Sequence, residues 1–230
     1  MTSDVVFLLD ADNTLLDGDR IVADFKDHLK TELGDLQAQS YWITFDRLRK
    51  ALGYVDYLGA LQHYRLESGE GGANEQKLLM MSSFLIDYPF AARLYSNALE
   101  IITHLNRYGL TVILSDGDVV LQPRKLQRSG LWQAVDGRAL IYVHKEKMLQ
   151  AVERHYPARH YVMVDDKLGI LSAMKKVWGA RLTTVFVRQG HYAMDPEIIA
   201  FQPAADLTIE CIDHLTTFDL SHLCPPAMHR

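Results

Sequence analysis

Five short apolar runs recur along the chain: "VVFLL" at 5–9, "LTVIL" at 110–114, "ALIYV" at 139–143, "YVMV" at 161–164 and "LTTVFV" at 182–187. They lack the strict polar alternation of a half-solvated strand, so each reads as a strand inside a parallel sheet covered on both faces. Helical segments separate most of them. Strands alternating with helices predict an α/β fold with a Rossmann-like parallel sheet. A chain of 230 residues that is 48% hydrophobic has enough apolar material for such a core in one or two domains.

The segment "SNALEIITHLNRYG" illustrates one crossover helix. Asn97 is expected to cap it, with Glu100 at the capping-box position, Leu99, Ile102 and Leu105 on one face, and Gly109 as the stop. The spacing before it is unusual. Ser115 follows Asp10 by 105 positions, whereas a strand–helix–strand crossover needs on the order of 30 residues. An insertion therefore interrupts the core.

That insertion, residues 17–88, reads as helical because Tyr41, Phe45, Leu48 and Leu52 recur at helical spacing. "SGEGGAN" at 68–74, with Gly69, Gly71 and Gly72, reads as an exposed connector within it. In "YWITFDRLRK" the aromatics belong to a helical core with a solvated face, from which Arg47 or Lys50 could meet a substrate. A compact helical unit inserted after the first strand would cover the carboxyl edge of the sheet, where open α/β sheets bind ligands. The expected organisation is a core of residues 1–16 and 89–230 with a cap of residues 17–88. The tail "HLCPPAMHR" reads as surface chain.

Charge and composition exclude some functions. A net charge of −5, a pI near 6.0 and no basic stripe give no footprint for nucleic acid. Cys211 and Cys224 form no metal-type pair and no disulfide framework. The ten histidines show no zinc-type spacing, and His144 is notable only for abutting Lys145. No signal segment is evident and no apolar run approaches membrane-spanning length, so the expectation is a cytoplasmic protein with no membrane partner.

The polar residues that close the strands carry the chemistry. The first run ends in "DADNT", where Asp10 and Asp12, two apart, can project to one side. A polar turn with Thr14 as a helix cap would explain the same residues. "VILSDGD" places Ser115 at a second strand end and "YVHKEKML" places Lys145 at a third, with Lys147 able to substitute. "YVMVDDKLG" ends in Asp165 and Asp166, adjacent acids that repel each other unless a cation sits between them and their neighbours.

These four stretches, in this order, resemble the haloacid dehalogenase superfamily, whose signature is D-x-D-x-[TV], then Ser or Thr, then Lys, then paired acids. The helical insertion between the first two motifs also matches that superfamily's arrangement with a helical cap at that point. The resemblance implies Asp10 as the nucleophile that forms an aspartyl phosphate and Asp12 as general acid and base. It implies Mg²⁺ held by Asp10, the Asp12 backbone carbonyl and the pair Asp165 and Asp166, with Asp166 favoured as the direct ligand. Ser115, Asp116 and Lys145 fall at the phosphate-binding positions, Ser115 by hydroxyl and Lys145 by charge.

Three features depart from the pattern. Asp116 and Asp118 bring negative charge beside the phosphate site, Lys145 is not followed by proline, and Gly169 and Ile170 stand where a further acid is often found. Asp12 distinguishes reaction types, because a halide leaving group needs no proton and an alkoxide does. The resulting expectation is a Mg²⁺-dependent phosphomonoester hydrolase acting on a small phosphorylated metabolite. The alternatives are a phosphomutase, which returns the phosphoryl group to a sugar, and a non-catalytic binding member. A receiver-like module would order its acids differently and lack the insertion. Substrate identity and oligomeric state stay open.

Overall fold

The computed structural model describes residues 3–69 and 75–223. Gly71 and Gly72 of the expected connector, and Cys224 with most of the proline-containing tail, lie outside the described residues. Among the described residues no helix is long and apolar enough to cross a membrane.

Strand β1 (Ser3–Leu9) is followed by helices α1 (Gly18–Leu33), α2 (Asp35–Leu52), α3 (Tyr57–Ser68) and α4 (Glu75–Asp87). Helix α5 (Ala98–Leu105) then leads to β2 (Leu110–Asp116), α6 (Leu121–Ser129), α7 (Leu131–Ala134), β3 (Ala139–Tyr142), α8 (Leu149–His155) and β4 (Ala158–Asp165). The chain closes with α9 (Leu168–Trp178), β5 (Leu182–Val187), α10 (Gly190–Met194), α11 (Pro196–Ile199) and β6 (Leu207–Ile209). All five anticipated strands are present; β6 is the addition, a three-residue edge strand too short to give a sequence signal.

The sheet has the order β3-β2-β1-β4-β5-β6 and every pairing is parallel. Alternate residues of β1 face opposite layers, as a strand's two-residue period requires. Phe7 and Leu9 pack with Ile101, Ile102 and Leu105 of α5, while Val6 and Leu8 pack with Val152 of α8 and Met174 of α9. Both faces of the central strands are thereby dry, which accounts for their uninterrupted apolar sequence.

The α5 start differs from expectation. Asn97 precedes the helix in the left-handed region at φ 60°, and its side chain makes no capping hydrogen bond. Gly109 does not end that helix, which stops at Leu105. A Cβ there would lie 2.6 Å from the Val5 carbonyl oxygen, so glycine is needed for the close approach of the α5–β2 turn to β1. Thr14 caps nothing: Asp17 caps α1 through Arg20 N at 2.9 Å, and Thr14 Oγ1 is buried without a partner.

Helices α1–α4 form a third apolar cluster, separate from the two flanking the sheet. Phe25 is its centre, with Tyr41, Trp42, Tyr57 and Phe84 rings 5.7–6.0 Å away. Tyr41 and Phe45 of the anticipated helical stripe are buried, whereas Leu52 is exposed at the α2 terminus. Arg47 pairs with Glu67 on the solvated side of this cluster. The chain enters and leaves the helices side by side, since Leu16 bridges both Asp12 and Leu94 and Tyr95 N donates to Leu15 O at 2.9 Å.

Candidate active site

In a parallel sheet every strand ends at the same edge, so Asp10, Ser115, Lys145 and Asp165 converge although far apart in sequence. Asp10 follows β1, Asp165 ends the neighbouring β4, and Asp10 N donates to Val164 O at 3.0 Å. Ser115 lies near the end of β2 on the other side of β1. Lys145 opens a short 3-10 turn after β3.

Lys145 Nζ is 2.5 Å from Asp10 Oδ1, 2.7 Å from Asp165 Oδ2 and 3.2 Å from Leu114 O. Its side chain is 1% exposed, while Lys147 points to solvent. The structure therefore brings Lys145, not Lys147, into the site. Burial alone would lower the Lys145 ammonium, but the Asp10 and Asp165 carboxylates outweigh it and hold the group protonated.

Asp10, Asp165 and Asp166 form a buried carboxylate cluster. Asp165 Oδ1 accepts the Lys167 N–H at 2.8 Å, so both its oxygens face donors. Both oxygens of Asp166 are buried without a hydrogen-bond partner. Burial and the charges of Asp165 and Asp10 push Asp166 up to about 9. Burial raises Asp10 to about 6, with Lys145 opposing and Asp165 reinforcing the shift. Three buried carboxylates, one with unsatisfied oxygens, are a hard-oxygen set that fits a divalent cation. Lys167, half-buried beside the cluster, also faces the Tyr192 ring at 4.7 Å.

Asp12 is placed differently from Asp10. Its carboxylate lies outside the cluster and is gripped by Lys125 Nζ at 2.9 Å to Oδ1 and 2.7 Å to Oδ2. Gln122 Nε2 donates to Asp12 Oδ2 at 3.1 Å and to Ser115 Oγ at 2.9 Å, so it ties the two together. Burial opposes ionisation of Asp12, but the Lys125 charge and the Lys125 and Gln122 hydrogen bonds prevail and its pKa is lowered. Gly117 makes this arrangement possible: a Cβ there would meet Gln122 Cβ at 2.7 Å.

The two extra acids are consumed by backbone. Asp116 Oδ1 accepts the Lys145 N–H at 2.7 Å, bracing the turn that carries the lysine. Asp118 Oδ1 accepts the N–H groups of Val120 and Leu121 at 2.8 and 2.7 Å, at the start of α6. At Asp116, expected at a phosphate-binding position, one carboxylate oxygen is thus engaged by a backbone donor.

The helical unit meets the site through Tyr57 at the start of α3. Burial and then the Asp12 charge raise the Tyr57 phenol, which stays protonated. A Cβ on Gly53, after α2, would lie 3.0 Å from His144 Nε2, so the helical unit also abuts the loop before Lys145.

Lys125, Gln122, Lys167 and Tyr57 were not singled out in the sequence. A signal for two of them existed: the buried face of α6 carries Leu121, Gln122, Lys125 and Leu126, so two polar residues share a core-facing stripe. Lys167 directly follows the acid pair, and Tyr57 was hidden among the aromatics of the helical unit.

The sequence profile of haloacid dehalogenase-like hydrolases matches residues 5–177. The chain belongs to this family. A haloacid dehalogenase-like protein from Burkholderia xenovorans LB400 is 61% identical over 94% of this chain and 99% of its own, with a TM-score of 0.88. More distant structures share the fold of this hydrolase. YfnB of Bacillus subtilis, a HAD-type protein with bound magnesium and interdomain movement, is 17% identical over 93% of this chain and 97% of its own, TM-score 0.59. The L-2-haloacid dehalogenase PA0810 is 18% identical over 93% and 98%, TM-score 0.62. No match among curated proteins was found for this sequence.

Proposed function

We propose that this hydrolase is a Mg²⁺-dependent phosphomonoesterase acting on a small phosphorylated metabolite. The observation that carries the reading is the Asp12 carboxylate, held by Gln122 beside the Ser115 hydroxyl and two residues from Asp10. Displacing a halide needs no proton donor there, whereas expelling an alkoxide from a phosphate ester does.

In this reading an Asp10 oxygen attacks phosphorus, the bond between phosphorus and the ester oxygen breaks, and Asp12, protonated in the complex that reacts, delivers that proton to the departing alkoxide and becomes a carboxylate. Asp12 then takes a proton from a water that attacks the aspartyl phosphate, releasing phosphate and regenerating Asp10. The Ser115 hydroxyl and the Lys145 ammonium hold phosphoryl oxygens. Asp10, Asp166 and the Asp12 carbonyl would hold Mg²⁺, with Asp165 oriented between Lys145 and the Lys167 N–H. When bound, the cation offsets the repulsion between carboxylates and phosphate.

The test is product release from a panel of phosphate monoesters and of 2-haloacids, with wild type, Asp10→Asn and Asp12→Asn. Mg²⁺-dependent phosphate release that Asp10→Asn abolishes and Asp12→Asn lowers about 100-fold or more supports the proposal. Halide release retained by Asp12→Asn, with no phosphate release from any ester, overturns it.

A further inference from the structure

We infer that Lys125 and Gln122 of α6 form a clamp that positions the Asp12 carboxylate for proton transfer, a role that rests on the phosphomonoesterase reading above. Lys125 spans both Asp12 oxygens, at 2.9 and 2.7 Å, which fixes the carboxylate plane rather than a single atom. Gln122 uses one amide nitrogen to hold Asp12 Oδ2 and Ser115 Oγ together, at 3.1 and 2.9 Å. One helix face therefore sets the separation between the proton-transfer group and a hydroxyl that binds the phosphoryl group.

Both side chains are committed to this task. Lys125 is 8% and Gln122 2% exposed, and burying an ammonium and an amide on a short amphipathic helix is costly unless they are paired. Their spacing of three residues puts them on the same side of α6, between Leu121 and Leu126, which anchor that side in apolar clusters. Asp118 fixes the start of the helix by accepting the Leu121 N–H. Helix α6 also holds the helical unit, through Arg124 Nε to Ile86 O at 3.2 Å and Arg128 Nη2 to Asp87 O at 3.0 Å. The clamp is thus built on an element braced at both faces.

Lys125 is a positioning residue, because it acts on the reaction through Asp12. Losing it should cost most where the leaving group most needs a proton. The experiment compares wild type, Lys125→Met, Lys125→Arg, Asp12→Asn and Asp12→Asn/Lys125→Met on p-nitrophenyl phosphate and on an alkyl phosphate, with Mg²⁺. Circular dichroism and thermal melting establish that each variant is folded.

The expected result is a kcat for Lys125→Met about 100-fold lower on the alkyl ester and less than about 10-fold lower on p-nitrophenyl phosphate, with KM little changed. Lys125→Arg restores most of the loss, and Lys125→Met adds nothing further in the Asp12→Asn background. Equal losses on both substrates, or losses that add fully to those of Asp12→Asn, overturn the clamp while leaving the phosphatase reading intact. Should Lys125→Met not fold, Lys125→Gln, which keeps a polar side chain but removes the charge, supplies the same comparison. A wild type that releases phosphate from neither substrate nor any other ester overturns the phosphatase reading and the clamp's catalytic role with it.

Discussion

At the scale of single residues, Lys145 Nζ lies between Asp10 and Asp165 with no access to solvent. Removing it leaves buried carboxylates facing each other, and breaking such a pair costs about 3–5 kcal/mol. Lys145→Met should therefore be strongly destabilised at pH 8 in chelator, and Mg²⁺ should restore part of the loss; chemical denaturation with and without the cation measures both. Asp166 provides a second expectation. Its folded pKa of about 9 lies above its ordinary value of 3.8, so the metal-free folded state binds more protons than the unfolded chain between those limits. Stability of the metal-free protein should fall as pH rises through that window. Cation binding near pH 7.5 should accordingly release close to one proton, read by calorimetry in buffers of different ionisation enthalpy.

At the scale of elements, β4 carries a titratable group into the core. His160 is buried, its Nε2 2.9 Å from Thr183 Oγ1 of β5, and burial lowers its pKa below 6.5. The unfolded chain then binds more protons as pH falls through 6.5, so this residue removes stability on acidification, fully once pH passes below its folded pKa. Replacing His160 by Gln should flatten the change in melting temperature between pH 7.5 and 5.5. The turn between α5 and β2 makes a second demand on sequence. Gly109→Ala would drive a Cβ to 2.6 Å from the Val5 carbonyl, a backbone clash that side-chain motion cannot relieve. It should cost about 1–3 kcal/mol in urea denaturation, without changing the site's chemistry.

At the scale of the whole molecule, helices α1–α4 rest on the sheet unit through Leu121 of α6, which joins their apolar cluster, and through a set of polar contacts. Arg124 and Arg128 of α6 bond carbonyls at the end of α4 and face the Asp87 carboxylate. Asp24 of α1 is held by Arg93 at 2.8 Å and by Tyr88. Exposed ion pairs such as those of Arg124 and Arg128 with Asp87 contribute little stability each, so they set geometry more than they hold the fold. Replacing both Arg124 and Arg128 by Ala should raise KM several-fold with kcat within a factor of about three, because the helical unit brings Tyr57 within reach of the Asp12 charge while chemistry stays on the sheet edge.

The sequence by itself determined the sheet, the helical insertion and the residues at the strand ends. Those signals are local: an apolar run, its period, and the polar residue that ends it are neighbours in the chain. Parallel topology then carries Asp10, Ser115, Lys145 and Asp165 to one edge with no further information. Only the tertiary structure decided what each polar group faces. It chose Lys145 over Lys147, spent Asp116 on a backbone N–H, left both Asp166 oxygens unpaired, and closed Lys125 onto Asp12 across 113 positions. These outcomes depend on distances between elements remote in sequence, which no local pattern of residues encodes.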